Sequence, residues 1–518
     1  MSEREDRPVG KVFLVGAGPG DPRLLTLWAD HLLKKADVII YDRLVSEEIL
    51  SLVPEGRKMV CVGKTPGGRG PSQEEINELL RREATEGRIV LRLKGGDPFL
   101  FGRGGEEAEY LARHGVDYEV VPGISSALAA PACAGIPVTH RGIGRSVAIV
   151  TGQTCDGDLE GVDWEGISRS CDTLVVLMGG TRMGEIVEKL VAGGRSPLEP
   201  AAAISWGSTG RQATVRTELG SLESKANEAG LTSPLLLVVG KVVELGQRLA
   251  WREKLPLHGK RVLTLRDPRQ ARSLCLKLAD LGASVRNVPA VRMVEHWDPA
   301  QDRVVERIRD FDWAIFTSPN AVTFFLDRLM ERGKDARDLG SCRIAAIGPG
   351  TGKALAARGL RADLIPENHT TQGLMEALTN VCLGGGHVLL CRSNLASPHL
   401  ADFLRQRGAE VEEVHPYRTE IAHHPDASLI RSLKRSEVDV ILFTSPSTVD
   451  GLLALLNRRK ELLTGVVLGC IGPVTDKRAR EWGLAVSFTA KDHSEDGLVE
   501  ALLEHLKEAP GKTGGEGA

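Results

Sequence analysis

Three things are missing from this sequence, and each absence removes a class of protein. No apolar run approaches the ~20 residues needed to cross a bilayer; the longest, such as Leu235–Val239, fall far short. None of the nine cysteines (Cys61, Cys133, Cys155, Cys171, Cys275, Cys342, Cys382, Cys391 and Cys470) stands in a Cys-x-x-Cys pair, and their number is odd. That pattern disfavours a zinc site or a disulfide framework and fits reduced, mostly buried thiols. No charge of one sign dominates: 66 Lys and Arg against 69 Asp and Glu leave −3, which argues against a general polyanion binder. A local basic pocket for a small acidic substrate stays open. The opening Met-Ser-Glu-Arg-Glu-Asp-Arg is charged and carries no apolar core of a signal peptide. A cytoplasmic protein is expected, with no nucleic-acid partner and no membrane partner.

What is present is length and alternation. At ~100–200 residues per domain, 518 residues imply three or four compact units. Short β-branched runs (Val12–Val15, Val38–Tyr41, Ile89–Leu93, Val147–Val150, Thr173–Leu177) alternate with amphipathic helical patterns at Leu24–Lys35 and Gln73–Thr85. This alternation is the mark of an α/β architecture with largely parallel sheets. Ser72 followed by Glu75 is a capping box, and Asp21-Pro22 places a capping side chain before a proline suited to a first helical position. A polar stretch with Pro and Gly at Trp251–Lys260 marks a boundary, and a softer one lies near His140–Arg145. The tail Ala509–Ala518 is Gly-rich and expected to be disordered, and its Gly511-Lys-Thr513 is not a phosphate loop because Leu506 stands where the first glycine belongs.

The second half repeats itself. Phe316-Thr-Ser-Pro319 returns 127 residues later as Phe443-Thr-Ser-Pro446, and Ile347-Gly-Pro349 returns 124 residues later as Ile471-Gly-Pro473. Gly259 to Arg266 parallels Gly386 to Arg392 at an offset near 126. Two similar α/β lobes facing each other across a cleft are expected.

In the first half, three loops follow strands. Gly16-Ala-Gly-Pro-Gly-Asp21 resembles a dinucleotide turn but has Asp21 where the third glycine belongs, and Pro19 removes an N–H that would face a pyrophosphate. Gly95-Gly96-Asp97 offers exposed backbone beside a carboxylate, and Ser125-Ser126 offers two hydroxyls. Loops at the carboxyl ends of strands converge on one crevice in an open α/β sheet. Asp42, at the end of one strand, and Lys64, after another, then become acid/base candidates.

Val15-Gly-Ala-Gly-Pro-Gly-Asp21, Tyr41-Asp-Arg-Leu-Val-Ser46, Val62-Gly-Lys64, Arg92-Leu-Lys-Gly-Gly-Asp-Pro-Phe99, Val121-Pro-Gly-Ile124 and Ala134-Gly-Ile-Pro-Val-Thr-His-Arg141 resemble uroporphyrinogen-III C-methyltransferases, in the right order over residues 10–252. The resemblance implies a two-lobed tetrapyrrole-methylase fold (lobes about 10–143 and 144–252), usually dimeric, with S-adenosylmethionine between the lobes. It implies a cofactor site of Pro19, Gly95, Gly96, Asp97, Leu100, Ser125, Ser126, Met178 and Gly207, with Asp42 as proton acceptor and Lys64 as proton donor. Leu177 stands where the family commonly has tyrosine. The substrate's eight carboxylates need cations, and Arg43, Arg103, His140 and Arg141 are candidates by position.

In residues 257–506 there is no metal motif, nucleophile elbow or phosphate loop; hydroxyls stand at strand ends instead. Phe316-Thr-Ser-Pro-Asn-Ala-Val322, Ile347-Gly-Pro349, Pro416-Tyr-Arg-Thr419, Phe443-Thr-Ser445 and Ile471-Gly-Pro473 resemble uroporphyrinogen-III synthase. That resemblance implies two α/β lobes joined by a β-ladder, with the chain crossing between them; residues 507–518 are expected to be a disordered tail beyond it. It implies ring closure of hydroxymethylbilane to uroporphyrinogen III, with Tyr417 assisting departure of the hydroxyl and Thr317, Ser318, Ser445 and Gly472 near the substrate. The first half would then methylate this product to precorrin-2, on the way to sirohaem or cobalamin. The competing expectation is a methylase of a later corrinoid intermediate with a second half that only senses tetrapyrroles.

Overall fold

The computed structural model describes residues 10–508 apart from 55, 64–69, 153–158, 160, 382–383 and 395. The chain folds into four α/β sheets joined in pairs, in line with the expected class. The first sheet is wholly parallel and contains β1 (Lys11–Gly16), β2 (Val38–Tyr41), β3 (Lys58–Cys61), β4 (Ile89–Lys94) and β5 (Asp117–Val121) in the order β3-β2-β4-β1-β5. Its central strands are buried on both faces, as the unbroken apolar runs require. The strand order reverses beside β1, which places a crevice at the carboxyl ends of β1 and its neighbours.

The second sheet contains β6 (Val147–Thr151), β7 (Thr173–Leu177), β8 (Pro200–Ser205), β9 (Ala213–Glu218) and β10 (Leu235–Val239) in the order β6-β7-β10-β8-β9. Here β10 runs antiparallel to both neighbours. The helix Ser126–Cys133 follows the first sheet in sequence but packs on the second: Ala127 and Ala130 share one core with Val175, Leu177, Ile204 and Val238.

The capping box at Ser72 and Glu75 forms at the head of helix Gln73–Thr85. The segment Leu24–Lys35 differs from the single helix expected. A short 3-10 turn, Pro22–Leu24, is capped by Asp21, and a separate helix, Leu27–Lys35, is capped by Thr26. The Thr26 hydroxyl accepts the Ala29 N–H, so the chain must leave the helical region at Leu25 and Thr26.

The boundary at Trp251–Lys260 is a packed strap. Leu257 is fully buried and its N–H donates to Leu281 O, while Glu253 pairs with Arg216.

In the second half the repeat copies and the lobes do not coincide. One lobe contains β11 (Arg261–Thr264), β12 (Ser284–Asn287), β19 (Val440–Phe443), β20 (Val467–Cys470) and β21 (Phe488–Thr489) in the order β12-β11-β19-β20-β21. The other contains β14 (Trp313–Phe316), β15 (Arg343–Ala346), β16 (His387–Cys391) and β17 (Glu410–Val414) in the order β15-β14-β16-β17. An antiparallel ladder of β13 (Val291–Glu295) and β18 (Tyr417–Ile421) joins them. Each copy gives its first two strands to one lobe, its third to the ladder and the remaining strands to the other lobe. The last helix, Glu495–Glu508, packs on the first of these lobes through Leu498, Val499 and Leu502.

Candidate active sites

The three loops of the first half interlock backbone to backbone. Gly18 and Gly96 exchange N–H···O bonds of 3.1 and 2.7 Å, and Ala17 N–H donates to Lys94 O at 2.7 Å. A Cβ on Gly16 would lie 2.5 Å from Gly123 Cα, and one on Gly123 would lie 2.2 Å from Gly96 O. Glycine is therefore required by close approach. The Asp97 carboxylate ties the same loops, accepting Gly123 N–H at 3.0 Å and Phe99 N–H at 2.8 Å. Ser125 caps the helix Ser126–Cys133 through Ala127 N–H.

The second sheet closes the crevice from the other side. A Cβ on Gly207 would meet Ala130 Cβ at 2.1 Å, and one on Gly20 would meet Thr209 Cγ2 at 2.8 Å. Five non-glycine residues with left-handed backbone lie in loops after β4, β7 and β8: Phe101, Arg103, Met178, Trp206 and Ser208. Strain of this kind persists where the surroundings impose it, commonly at ligand sites.

Asp42 sits beside a buried ionic cluster. Arg92 donates to Asp42 at 2.6 Å and to Glu107 at 3.0 Å, and Lys94 lies 3.0 Å from Glu107 and 3.7 Å from Asp42. Arg92 and Lys94 alternate along β4 and so face one side of the sheet. Glu107, on helix Gly104–Arg113, is fully buried and also accepts from Gln73. Burial works against the Arg92 charge, but the Glu107 and Asp42 carboxylates outweigh it. Burial, reinforced by Arg92, pulls the Lys94 ammonium below its ordinary value. Asp42 is the partly exposed member, so the cluster presents one carboxylate to the crevice. Arg92, Lys94 and Glu107 were not singled out in the sequence. The available signal was a pair of cations at i and i+2 in an otherwise apolar strand.

Among the other expected residues, Pro19 and Leu100 are half-buried in these loops, and Arg43 is exposed directly after Asp42. Arg103 pairs with Glu106 at 2.7 Å, and His140 and Arg141 are exposed in the turn closed by the His140–Gly144 bridge. Lys64 lies outside the described residues.

In the second half, loops after β14 and β16 converge below the ladder. The Tyr417 ring is buried and stacks on Phe324 at 5.6 Å between centroids, and its hydroxyl lies 2.9 Å from Ser318 Oγ. Burial raises the phenol above its ordinary value, with Ser318, Ser393 and Asn320 opposing the shift. The two lobes touch here: Gln270 donates to Asn320 at 2.7 Å. Thr317 lies against Cys391 O, Ser318 caps the helix Pro319–Glu331, and Ser445 caps Pro446–Leu455. Gly472 lies against the His493 ring, as Gly348 lies against His369 in the other copy. A hollow of about 570 Å³ beside the ladder is lined by Asp267, Glu295, Asp327 and Glu331 as well as Arg269 and Arg292, a poor match for a polycarboxylate. Among the described residues no cluster of His, Cys, Asp and Glu could hold a metal ion, and no helix is long and apolar enough to cross a membrane.

Family models match both halves in order: tetrapyrrole (corrin/porphyrin) methylases over residues 11–223 and uroporphyrinogen-III synthase over 273–500. A porphyrin biosynthesis protein from Ruminiclostridium josui is 36% identical over 503 residues, covering 96% of this chain and 98% of that protein. The chain belongs to the family of tetrapyrrole methylases fused to uroporphyrinogen-III synthase. It is an enzyme of tetrapyrrole biosynthesis, with a methyltransferase half and a synthase half. A uroporphyrinogen-III C-methyltransferase from Bacillus subtilis is 46% identical over 245 residues, which is 47% of this chain and 95% of that protein. The uroporphyrin-III C-methyl transferase of Thermus thermophilus, solved with S-adenosyl homocysteine, is 45% identical and covers 46% of this chain and all of that one, with a TM-score of 0.40.

Proposed function

We propose that the methylase half transfers methyl groups from S-adenosylmethionine to uroporphyrinogen III, giving precorrin-2, and that the synthase half closes hydroxymethylbilane to uroporphyrinogen III. The observation that carries the first reading is the interlocked backbone of the Gly16, Gly96 and Gly123 loops beside Asp42. The loop walls are backbone, hydroxyl and a carboxylate already held by two N–H groups, and the adjacent cation Lys94 is buried against Glu107. This suits a zwitterionic adenosyl ligand with neutral edges better than a diphosphate. Pro19, Gly95, Gly96, Asp97, Leu100, Ser125, Ser126, Met178 and Gly207 line its place. S-adenosylmethionine brings an already activated methyl, so the protein's work is alignment and proton removal. Asp42, oriented by Arg92 and Lys94, accepts the proton that the macrocycle gives up from a ring N–H or bridging CH2 as the methyl bonds to a pyrrole carbon, and Lys64 returns one. Arg43, Arg103, His140 and Arg141 face the substrate's carboxylates.

In the synthase half, Tyr417 keeps its proton and donates a hydrogen bond to the departing hydroxyl, which leaves as water with the proton that the terminal pyrrole N–H gives up as the azafulvene forms. Thr317, Ser318, Ser445 and Gly472 hold the folded linear tetrapyrrole for closure. The protein works in the cytoplasm, without a nucleic-acid or membrane partner, and supplies sirohaem or cobalamin synthesis. It pairs as a homodimer through the methylase half. Leu128, Leu249 and Trp251 support this, because they stay about half exposed around the helix Ser126–Cys133. Incubating the whole chain with hydroxymethylbilane and S-adenosylmethionine tests the function. Dimethylated type III product is expected, and its absence, or methylation of later precorrins alone, would overturn it.

A further inference from the structure

The two halves meet around one short segment of the synthase, and its partners on the methylase side include three loops of the crevice. Gly210 lies in the loop that carries Gly207. A Cβ there would lie 2.1 Å from Ser284 N and 2.3 Å from the Ala283 carbonyl carbon, so backbone rests on backbone. Arg23 grips the Asp21 carboxylate of the glycine-rich turn through Nε at 3.0 Å and NH2 at 2.6 Å, and its NH1 bonds Asp280 at 2.5 Å. Glu47, five residues after Asp42, pairs with Arg286 at 3.1 Å.

The three loops touched are themselves one body. The Ser46 hydroxyl donates to Gly20 O at 2.7 Å, and Gly20 leaves no space for a Cβ beside Thr209. The loop after β8 holds Trp206 and Ser208 in left-handed backbone, with Arg211 stacked on Trp206 at 3.7 Å and Ser208 N–H donating to Gln212. A loop in that state keeps its shape only while its surroundings hold it, and Ser284 is part of those surroundings.

We propose that synthase residues 280–286 are a positioning element for the methylase: they brace the loops bearing Gly207, Asp21 and Asp42, so that affinity for S-adenosylmethionine depends on the second half. Asp280, Ser284 and Arg286 touch no reacting atom; they act through Arg23, Gly210 and Glu47. Each exposed ion pair alone contributes little, so the backbone contact at Gly210 carries most of the effect. Relatives consisting of the first half alone exist, so the brace adjusts a crevice that forms without it.

The proposal rests on the S-adenosylmethionine reading above, and the test separates the two. Titration calorimetry with S-adenosylhomocysteine is run on the full chain, on Gly210→Ala and on the double variant Asp280→Ala/Arg286→Ala. Weaker binding is expected, about 5-fold or more for Gly210→Ala and less for the double variant, with synthase activity retained in both. Coupling between sites is reciprocal, so S-adenosylhomocysteine should slow amide exchange at residues 280–286 of the wild type. Equal affinity in all three proteins, with exchange at 280–286 unchanged by ligand, overturns the brace. No binding by the wild type overturns the cofactor reading and the brace with it. If Gly210→Ala loses synthase activity through misfolding, the double variant and the wild-type exchange measurement decide.

Discussion

The Tyr417 hydroxyl lies 2.9 Å from Ser318 Oγ, and at the repeat-related place the serine recurs without a phenol to meet it. Shifting by the repeat offset of 127 sets Ala290 against Tyr417, Ser445 against Ser318 and Gly451 against Phe324. Ala290 packs directly on Gly451, and Ser445 turns to Ser447 instead. The two copies are alike in fold and differ here, which makes the phenol the place to test the proposed departure of the hydroxyl. Tyr417→Phe should lower the synthase rate yet leave product, because folding of the linear tetrapyrrole depends on the whole cleft. Hydroxymethylbilane also closes spontaneously without inverting its last ring. The isomer ratio therefore reports confinement apart from rate, and type III should remain the main enzymatic product. A folded variant making only type I would show that Tyr417 is indispensable.

Asp42 and Glu107 share Arg92 and Lys94 but should fail differently. Asp42→Asn keeps an acceptor for Arg92 and removes the base. Methyl transfer should fall ~10²–10⁴-fold while affinity for S-adenosylhomocysteine holds. Glu107→Gln leaves two buried cations with one fewer compensating charge. Breaking a buried ionic set costs about 3–5 kcal/mol, so unfolding of the first half should come at clearly lower urea. Equal turnover in Asp42→Asn would remove it as the base, and an unmoved urea midpoint in Glu107→Gln would mean that water already compensates the cations.

The crevice was legible in the sequence because close backbone approach needs glycine, and Gly16, Gly96 and Gly123 each stand at the carboxyl end of a strand. The ionic cluster was less so. Arg92 and Lys94 lay inside a recognised motif, but only the sheet brings Glu107 and Asp42 to the same side of them. The repeat identified like segments and not their partners. Trp313 pairs with Val388 and Val262 with Val440, each across copies, so resemblance within the chain could not say which strands share a sheet. The Asn320–Gln270 bridge, with its members 50 residues apart on different lobes, has no sequence signal at all.

Glu48 gives the junction a pH dependence. Burial raises its carboxyl above the ordinary value, and Arg211 only partly opposes this. Its folded pKa thus lies above its unfolded one, and between the two the folded state holds more protons. Stability contributed by Glu48 is present below the unfolded value and declines as pH rises through the folded one. Glu48→Gln should therefore be more thermostable than wild type at pH 8, and the advantage should disappear toward pH 4. An advantage independent of pH would assign the effect to packing.

The Gln270–Asn320 bond is the reachable control on the synthase cleft. It joins the helix Pro268–Asp280 of one lobe to the helix Pro319–Glu331 of the other, and Asn320 also faces the Tyr417 phenol. A neutral hydrogen bond of this kind contributes about 0.5–1.5 kcal/mol, small against the stability of a folded domain. Gln270→Leu should leave thermal unfolding nearly unchanged and let the lobes part more readily. Looser confinement should raise KM for hydroxymethylbilane several-fold and increase the type I fraction, while kcat falls less than in Tyr417→Phe. The contrast matters because the proposed function has Tyr417 act on the leaving group, whereas Gln270 bridges only the two lobes. If Gln270→Leu lowered kcat as far as Tyr417→Phe and left the isomer ratio alone, the bridge would be orienting the phenol, and closure of the lobes would depend on the β13–β18 ladder instead.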